Sequence, residues 1–179
     1  MPHPEFEITR GVFLSPIALS DTTALACLVQ ENIDHLKAFM PALVQLASVD
    51  RAAVHLDRGM QAAADGDMLE WHIFENRILC GSVRLKDIDS STRSASIGYF
   101  VGERFQGKGL VTRSVHAVID YCFDQLGLNR IELRCAASNS ASIRMAIRLG
   151  FSLEGVLRQA EYLDGVFVDL HVFGLLAPR

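Results

Sequence analysis

Between residues 68 and 135 the hydrophobic period of the chain changes twice, and this limits the folds open to it more than any other feature. Met68–Phe74 and Ile78–Leu85 are apolar runs of strand length joined by Glu75-Asn76-Arg77, a hairpin-length connection, so they pair antiparallel. Asp87–Ser94 reads as a polar loop, and Ser96–Val101 as a third strand of the same meander. The period then lengthens. Val111, Val115, Val118, Ile119, Cys122, Phe123 and Leu126 recur at three- and four-residue steps up to Gly127, which marks an amphipathic helix ended by glycine. Ile131, Leu133 and Cys135 alternate with Glu132 and Arg134, a return to strand with two unlike faces.

The flanks extend this pattern. A strand at about Val12–Leu19 leads to Ser20 and Asp21, which offer side-chain oxygens to cap a helix carrying Leu25, Leu28, Val29, Ile33 and Leu36. A second helix runs from about Val49 through Val54 and Met60 to Ala64 and stops at Gly66. Ser140–Leu149 is a short helix stopped by Gly150; strands follow around Phe151–Leu157 and Val166–Leu175, turning at Asp164-Gly165, a pair that favours positive φ. The sum is a mixed α/β domain with a central, mostly antiparallel sheet of about seven strands flanked by helices.

Composition excludes several classes. At 179 residues, with no repeat or Pro/Gly/Ser-rich linker, the chain reads as a single domain over 1–179 that buries a core without staples. Its 17 basic and 21 acidic side chains leave a net charge of −4 and no basic arm, which argues against nucleic acid or an anionic membrane as partner. The four cysteines form no CxxC pair and no zinc spacing, so no metal is expected. Met1-Pro2-His3-Pro4-Glu5 is not a charged leader segment, and no apolar run nears the ~18 residues that span a bilayer; a cytoplasmic protein is expected.

The segment from Gly102 to Val111, between a strand and the long helix, carries the most chemistry. Glycines there admit a ligand close to the backbone, and the free amides of a helix start favour an anion such as pyrophosphate; plain turn punctuation is the competing reading. Arg104, Lys108 and Arg113 add positive charge nearby. Gly102–Lys108 fits GxxxxGK, but Gly109 stands where a P-loop needs a magnesium-binding hydroxyl. Thr112 stands where a dinucleotide fingerprint needs its third glycine.

Gln106-Gly107-Lys108-Gly109-Leu110-Val111 resembles the Q/R-x-x-G-x-G/A pyrophosphate loop of the GNAT superfamily of N-acetyltransferases, with Val111 departing from its last position. Asn139-Ser140-Ala141-Ser142 followed by Arg148-Leu149-Gly150-Phe151 resembles the family's N-x-x-S…LGF segment, and the stretch from Glu154 to Asp169 looks most like the RimJ/RimL branch, whose members acetylate protein N-termini, typically of ribosomal proteins. The resemblance implies a sheet splayed between its fourth and fifth strands, acetyl-coenzyme A as cosubstrate, and direct transfer of the acetyl group to a primary amine. It implies a coenzyme site made of Tyr99, Phe100 and Val101 along the pantetheine, Gln106, Gly107, Lys108, Gly109, Leu110, Val111 and Thr112 at the phosphates, and Asn139 and Ser142 near the thioester. For Tyr99–Val101 a core strand, for Asn139 a helix cap, and for Ser142 a solvated hydroxyl are the plain alternatives.

Direct transfer needs a neutral amine, a polarised carbonyl and a proton for the departing thiolate. Ser142 is the candidate acid with Tyr162 second, and Glu161, in the polar insert between the last two strands, is the candidate base, acting directly or through a held water. His72 and Glu70 are fallback groups, Cys135 reads as core, and Arg144 and Arg148 as a solvated helix face that brushes the coenzyme's 3′-phosphate. The acceptor expected from the branch is the N-terminal α-amine of a ribosomal protein, with a small-molecule amine (polyamine, antibiotic or amino-acid-like toxin) or a non-catalytic acyl-coenzyme A sensor as alternatives. The branch also suggests a homodimer.

Overall fold

The computed structural model describes residues 3–178; Met1 and Pro2, on which part of the leader reading rests, and Arg179 lie outside the described residues. Among the described residues one mixed sheet of eight strands carries five α-helices. The strands are β1 (Phe6–Thr9), β2 (Val12–Pro16), β3 (Leu69–Glu75), β4 (Ile78–Asp89), β5 (Ser94–Val101), β6 (Arg130–Ala136), β7 (Ser152–Leu163) and β8 (Val166–Leu176). The helices are α1 (Thr22–Glu31), α2 (Ile33–Lys37), α3 (Val49–Asp65), α4 (Leu110–Asp124) and α5 (Ser140–Arg148). Among the described residues no helix is long and apolar enough to cross a membrane.

Strand order is β1-β2-β3-β4-β5-β6-β8-β7, antiparallel throughout except for β5 and β6. That parallel pair lasts only from Ser94 to Ser96 on β5, opposite Arg130 to Glu132. Beyond it the two strands diverge, so the expected splay is present, and it opens a wedge between Ile97–Val101 and Leu133–Ala136. The last strand, β8, inserts between β6 and β7. Trp71 fills the centre of the α4 side, fully buried, with its ring centroid 5.9 Å from that of Tyr121 and its Nε1–H donating to the Pro4 carbonyl at 2.8 Å.

Several expected boundaries move. The eighth strand, β1, is too short and too near the edge to show in the periodicity; Gly11 at φ +79° closes its turn onto β2. The first helix breaks at Asn32, and a 3-10 helix fills Pro41–Ala47. Ser20 and Asp21 do not cap α1 by their side chains. Asp21 Oδ2 instead accepts from the Ala18 amide at 3.2 Å and lies 2.8 Å from Nδ1 of the buried His72. β4 runs through the expected loop to Asp89 because Asp87 takes φ +53° and absorbs the irregularity. Glu161 and Tyr162 are not in a polar insert but on β7, paired with Val168 and Phe167 of β8, since a bulge at Gln159 (φ +50°) lets the hairpin continue to Asp164-Gly165.

Candidate active site

A cleft of about 470 Å³ occupies the wedge. Its floor is β5, its far wall α5, and its mouth the loop before α4. Gly107 and Gly109 sit at φ +74° and +70°, a conformation that costs an L side chain and that turns the chain into α4. Among the described residues no side chain caps α4, so the amides of its first turn are left for a ligand. Gln106, Gly107, Gly109, Leu110, Val111 and Thr112 all line the cleft. Lys108 does not: its Nζ turns away to Glu75 Oε2 at 3.1 Å and lies 5.4 Å from the Phe105 ring centroid. Arg104 likewise faces Glu31, at 3.7 Å. The cations left at the cleft without a carboxylate among the described residues are Arg144 and Arg148, from α5.

Tyr99, Phe100 and Val101 line the inner part of the cleft. The Gly102 amide donates to Cys80 of β4 at 2.9 Å, and amides alternate along a strand, so the Val101 N–H projects from the opposite edge into the wedge. Asn139 both lines the cleft and caps α5, its Oδ1 accepting from the Ser142 amide at 3.1 Å. Ser142 is buried to 8% exposure and its Oγ lies 2.6 Å from the Tyr99 hydroxyl. Burial pushes the Tyr99 hydroxyl up to about 12, so it stays a proton donor across the neutral range. Burial also raises the Cys135 thiol, against a smaller opposing effect of the Ser142 hydroxyl, which disfavours the thiolate that a nucleophile needs.

The structure does not bring Glu161 or Tyr162 to this cleft. Both are exposed on β7, and the Tyr162 ring packs 4.9 Å from that of Phe167. Glu70, the fallback carboxylate, is 2% exposed and fully engaged: Ser82 Oγ donates to it at 2.6 Å and Arg84 at 2.7 and 2.9 Å. Burial alone would raise its pKa, but His55, Arg84 and Ser82 together hold it down at about 2, too acidic for a base.

Sequence reasoning missed the near wall. His35, Leu36, Phe39 and Met40, on α2 and just after it, line the cleft opposite α5. Gln106 Nε2 lies 2.8 Å from His35 Nε2, a hydrogen bond that ties the glycine loop to α2. Asn32 anchors the arrangement: 7% exposed at the break between α1 and α2, it donates to the Leu28 carbonyl and accepts from the Glu103 amide, both at 2.7 Å. A Cβ on Gly102 would come within 3.2 Å of this carboxamide, so glycine there lets the loop before α4 approach. Only the pairing of a helix-breaking Asn with a following Gly-rich loop hinted at this contact. Asn32→Ala strands the Glu103 amide, and we expect a loss of about 1–3 kcal/mol, read as a lowered denaturant midpoint at unchanged m-value.

Comparison with known proteins decides the family. Residues 12–152 match the model of the acetyltransferase (GNAT) domain. This chain belongs to the GNAT acetyltransferase family. The chain is 35% identical over 172 residues to a Bacillus subtilis (strain 168) protein named "Putative ribosomal N-acetyltransferase YdaF", covering 95% of this chain and 93% of that one. Among solved structures it superposes with a TM-score of 0.93 and 25% identity on RimL, the ribosomal L7/L12 α-N-protein acetyltransferase in complex with coenzyme A as a disulfide to a cysteine, covering 97% and 98% of the two chains. It superposes with a TM-score of 0.91 and 27% identity on the microcin C7 self-immunity acetyltransferase MccE in complex with acetyl-coenzyme A and AMP, covering 98% and 97%. This GNAT chain is thus an N-acetyltransferase, with acetyl-coenzyme A as its donor.

Proposed function

We propose that this GNAT protein transfers the acetyl group of acetyl-coenzyme A directly to the N-terminal α-amine of a protein, and that the acceptor is a ribosomal protein in the cytoplasm. The observation that carries the chemistry is a single cleft joining the uncapped start of α4 to the Tyr99–Ser142 pair in the wedge. The names of YdaF and RimL support the acceptor class. In this reading the glycine loop and the amides of Leu110, Val111 and Thr112 hold the pyrophosphate, Tyr99–Val101 carry the pantetheine with Asn139, and Arg144 and Arg148 attract its phosphates.

A neutral amine attacks the thioester carbonyl and the N–C bond forms while the Val101 amide holds the carbonyl oxygen. The C–S bond then breaks, Ser142 O–H protonates the departing thiolate, Tyr99 O–H restores the serine proton, and water returns a proton to the Tyr99 oxygen. The amine's own proton leaves through water, since Glu161 and Tyr162 stand outside the cleft on the exposed hairpin. Exposed Val166 and Phe167 at the tip of that hairpin support a homodimer built there.

The test combines binding and turnover. Saturating acetyl-coenzyme A, at about 100 times its Kd, should stabilise the fold by about 2.7 kcal/mol, and a free-N-terminus peptide of a ribosomal protein should gain one acetyl group by mass spectrometry. Acetylation of a polyamine or an amino-acid-like toxin in place of the peptide would overturn the acceptor, and no thermal shift would overturn the donor site.

A further inference from the structure

The sheet has two sides at the wedge, and the coenzyme cleft runs along the open end of β5 at Tyr99–Val101. Trp71 and Val83 point toward α4, as the Trp71–Tyr121 ring contact shows. Side chains alternate along a strand, so Glu70, Ser82 and Arg84 lie on the opposite side, where Glu70 meets His55 of α3 at 3.4 Å. The register carries that side across the sheet: Arg84 stands opposite Gly98 on β5, and Ser96, the last β5 residue still paired with β6, stands opposite Glu132. Ala95 and Ile97 are buried on the α4 side, whereas Ser96 and Gly98 are half-exposed, and a Cβ placed on Gly98 would meet nothing within 4 Å. An open space therefore lies at the apex of the wedge on the side of the sheet away from α4, one strand spacing of about 5 Å from Arg84.

Arg84 is set up to serve that space. Its Nε and one terminal nitrogen are spent on Glu70, at 2.9 and 2.7 Å, and the second of these also lies 3.0 Å from His55 Nε2. The remaining terminal nitrogen, Nη1, has no partner among the described residues, and the side chain keeps 30% of its surface exposed. A guanidinium pinned by a buried carboxylate and left with one free N–H₂ arm is a fixed donor for an acceptor oxygen. We propose that Arg84 is a specificity-determining residue: its free Nη1 donates to the carbonyl oxygen of the acceptor's first residue, so that an amine adjacent to a peptide carbonyl is chosen over a plain alkylamine.

This rests on the N-terminal α-amine reading above. The test is a cycle of two enzymes and three acceptors: wild type and Arg84→Lys, each with a free-N-terminus hexapeptide, the same peptide with its first carbonyl reduced to methylene, and spermidine. Lysine keeps the positive charge facing Glu70 but loses the fork. Wild type should favour the intact peptide over the reduced one by about tenfold or more in kcat/KM, and Arg84→Lys should erase that preference while the KM for acetyl-coenzyme A and turnover of the reduced peptide stay unchanged. A second variant, Glu70→Gln with Arg84→Met, removes both charges and should behave as Arg84→Lys does. Equal losses on all acceptors would assign Arg84 a purely structural role, and a retained preference for the carbonyl would exclude it; either overturns the proposal. If wild type acetylates spermidine and neither peptide, the acceptor reading fails first, whatever Arg84 does.

Discussion

Ser142→Ala should lower kcat by about 10²-fold, at the lower end of what a positioned general acid contributes, with little change in the KM for acetyl-coenzyme A. The reason is geometric. Ser142 is the buried hydroxyl in the wedge, 2.6 Å from the Tyr99 hydroxyl and 8% exposed, so no bulk water stands in for it easily. The substitution is also clean. Asn139 caps α5 through the backbone amide of residue 142, which alanine retains, so the melting temperature should stay within about 2–4 °C of wild type. Tyr99→Phe should cost less, about tenfold, because Ser142 keeps its own proton and recovers it from water more slowly. Since burial holds the Tyr99 hydroxyl at about 12, neither loss should depend on pH between 6 and 9. Single-turnover transfer rates within twofold of wild type in both variants would remove the pair from the chemistry.

Arg84→Met should destabilise the fold by about 3 kcal/mol at pH 7, near the lower end for breaking a buried pair because Arg84 is itself 30% exposed. For a chain of this size that is a drop of roughly 6–12 °C in melting temperature. The pH dependence identifies the cause. Glu70 in the wild type is held at about 2, below its ordinary 4.5, so its contribution is fully present above about pH 4.5 and is lost as pH falls toward 2. That contribution is on the order of 3 kcal/mol. Without Arg84 one of the groups that offset the burial of Glu70 is lost and its pKa moves upward, so protonation relieves the variant as pH falls. The gap between the two proteins should therefore narrow steadily from pH 7 to pH 4 in parallel denaturant melts. A gap that stays constant over that range would mean that lost packing of the arginine stem, not the buried charge, sets the cost.

Much of the wedge was readable from sequence because its parts are local. Glycines at 107 and 109 ahead of an amphipathic helix, Asn139 three residues before Ser142, and the Asp164-Gly165 turn each specify a backbone conformation within a few residues, and the structure has them with the expected φ values and cap. Such signals are strong because a positive φ or an unfilled amide is a property of one short segment. Long-range partners leave no comparable trace. Lys108 was expected at the phosphates from its place in the motif, but Glu75, 33 residues earlier, takes its ammonium group. Glu161 and Tyr162 looked like a polar insert because charged and aromatic residues on an exposed edge strand break the alternation that marks half-buried ones.

Sequence alone thus determined most of the elements, the backbone conformation of the glycine loop and the cap of α5, all of which follow from interactions closed within about one turn of chain. Tertiary structure alone decided that β8 lies between β6 and β7, that α2 forms the near wall of the cleft, and that Tyr99 reaches Ser142 across 43 residues. It also decided that Glu70, a fallback base by sequence, is a sealed anchor for Arg84. The physical reason is the same throughout: contacts between distant segments are selected by the burial of the whole core, and the sequence near either partner does not record which distant group burial will bring to it.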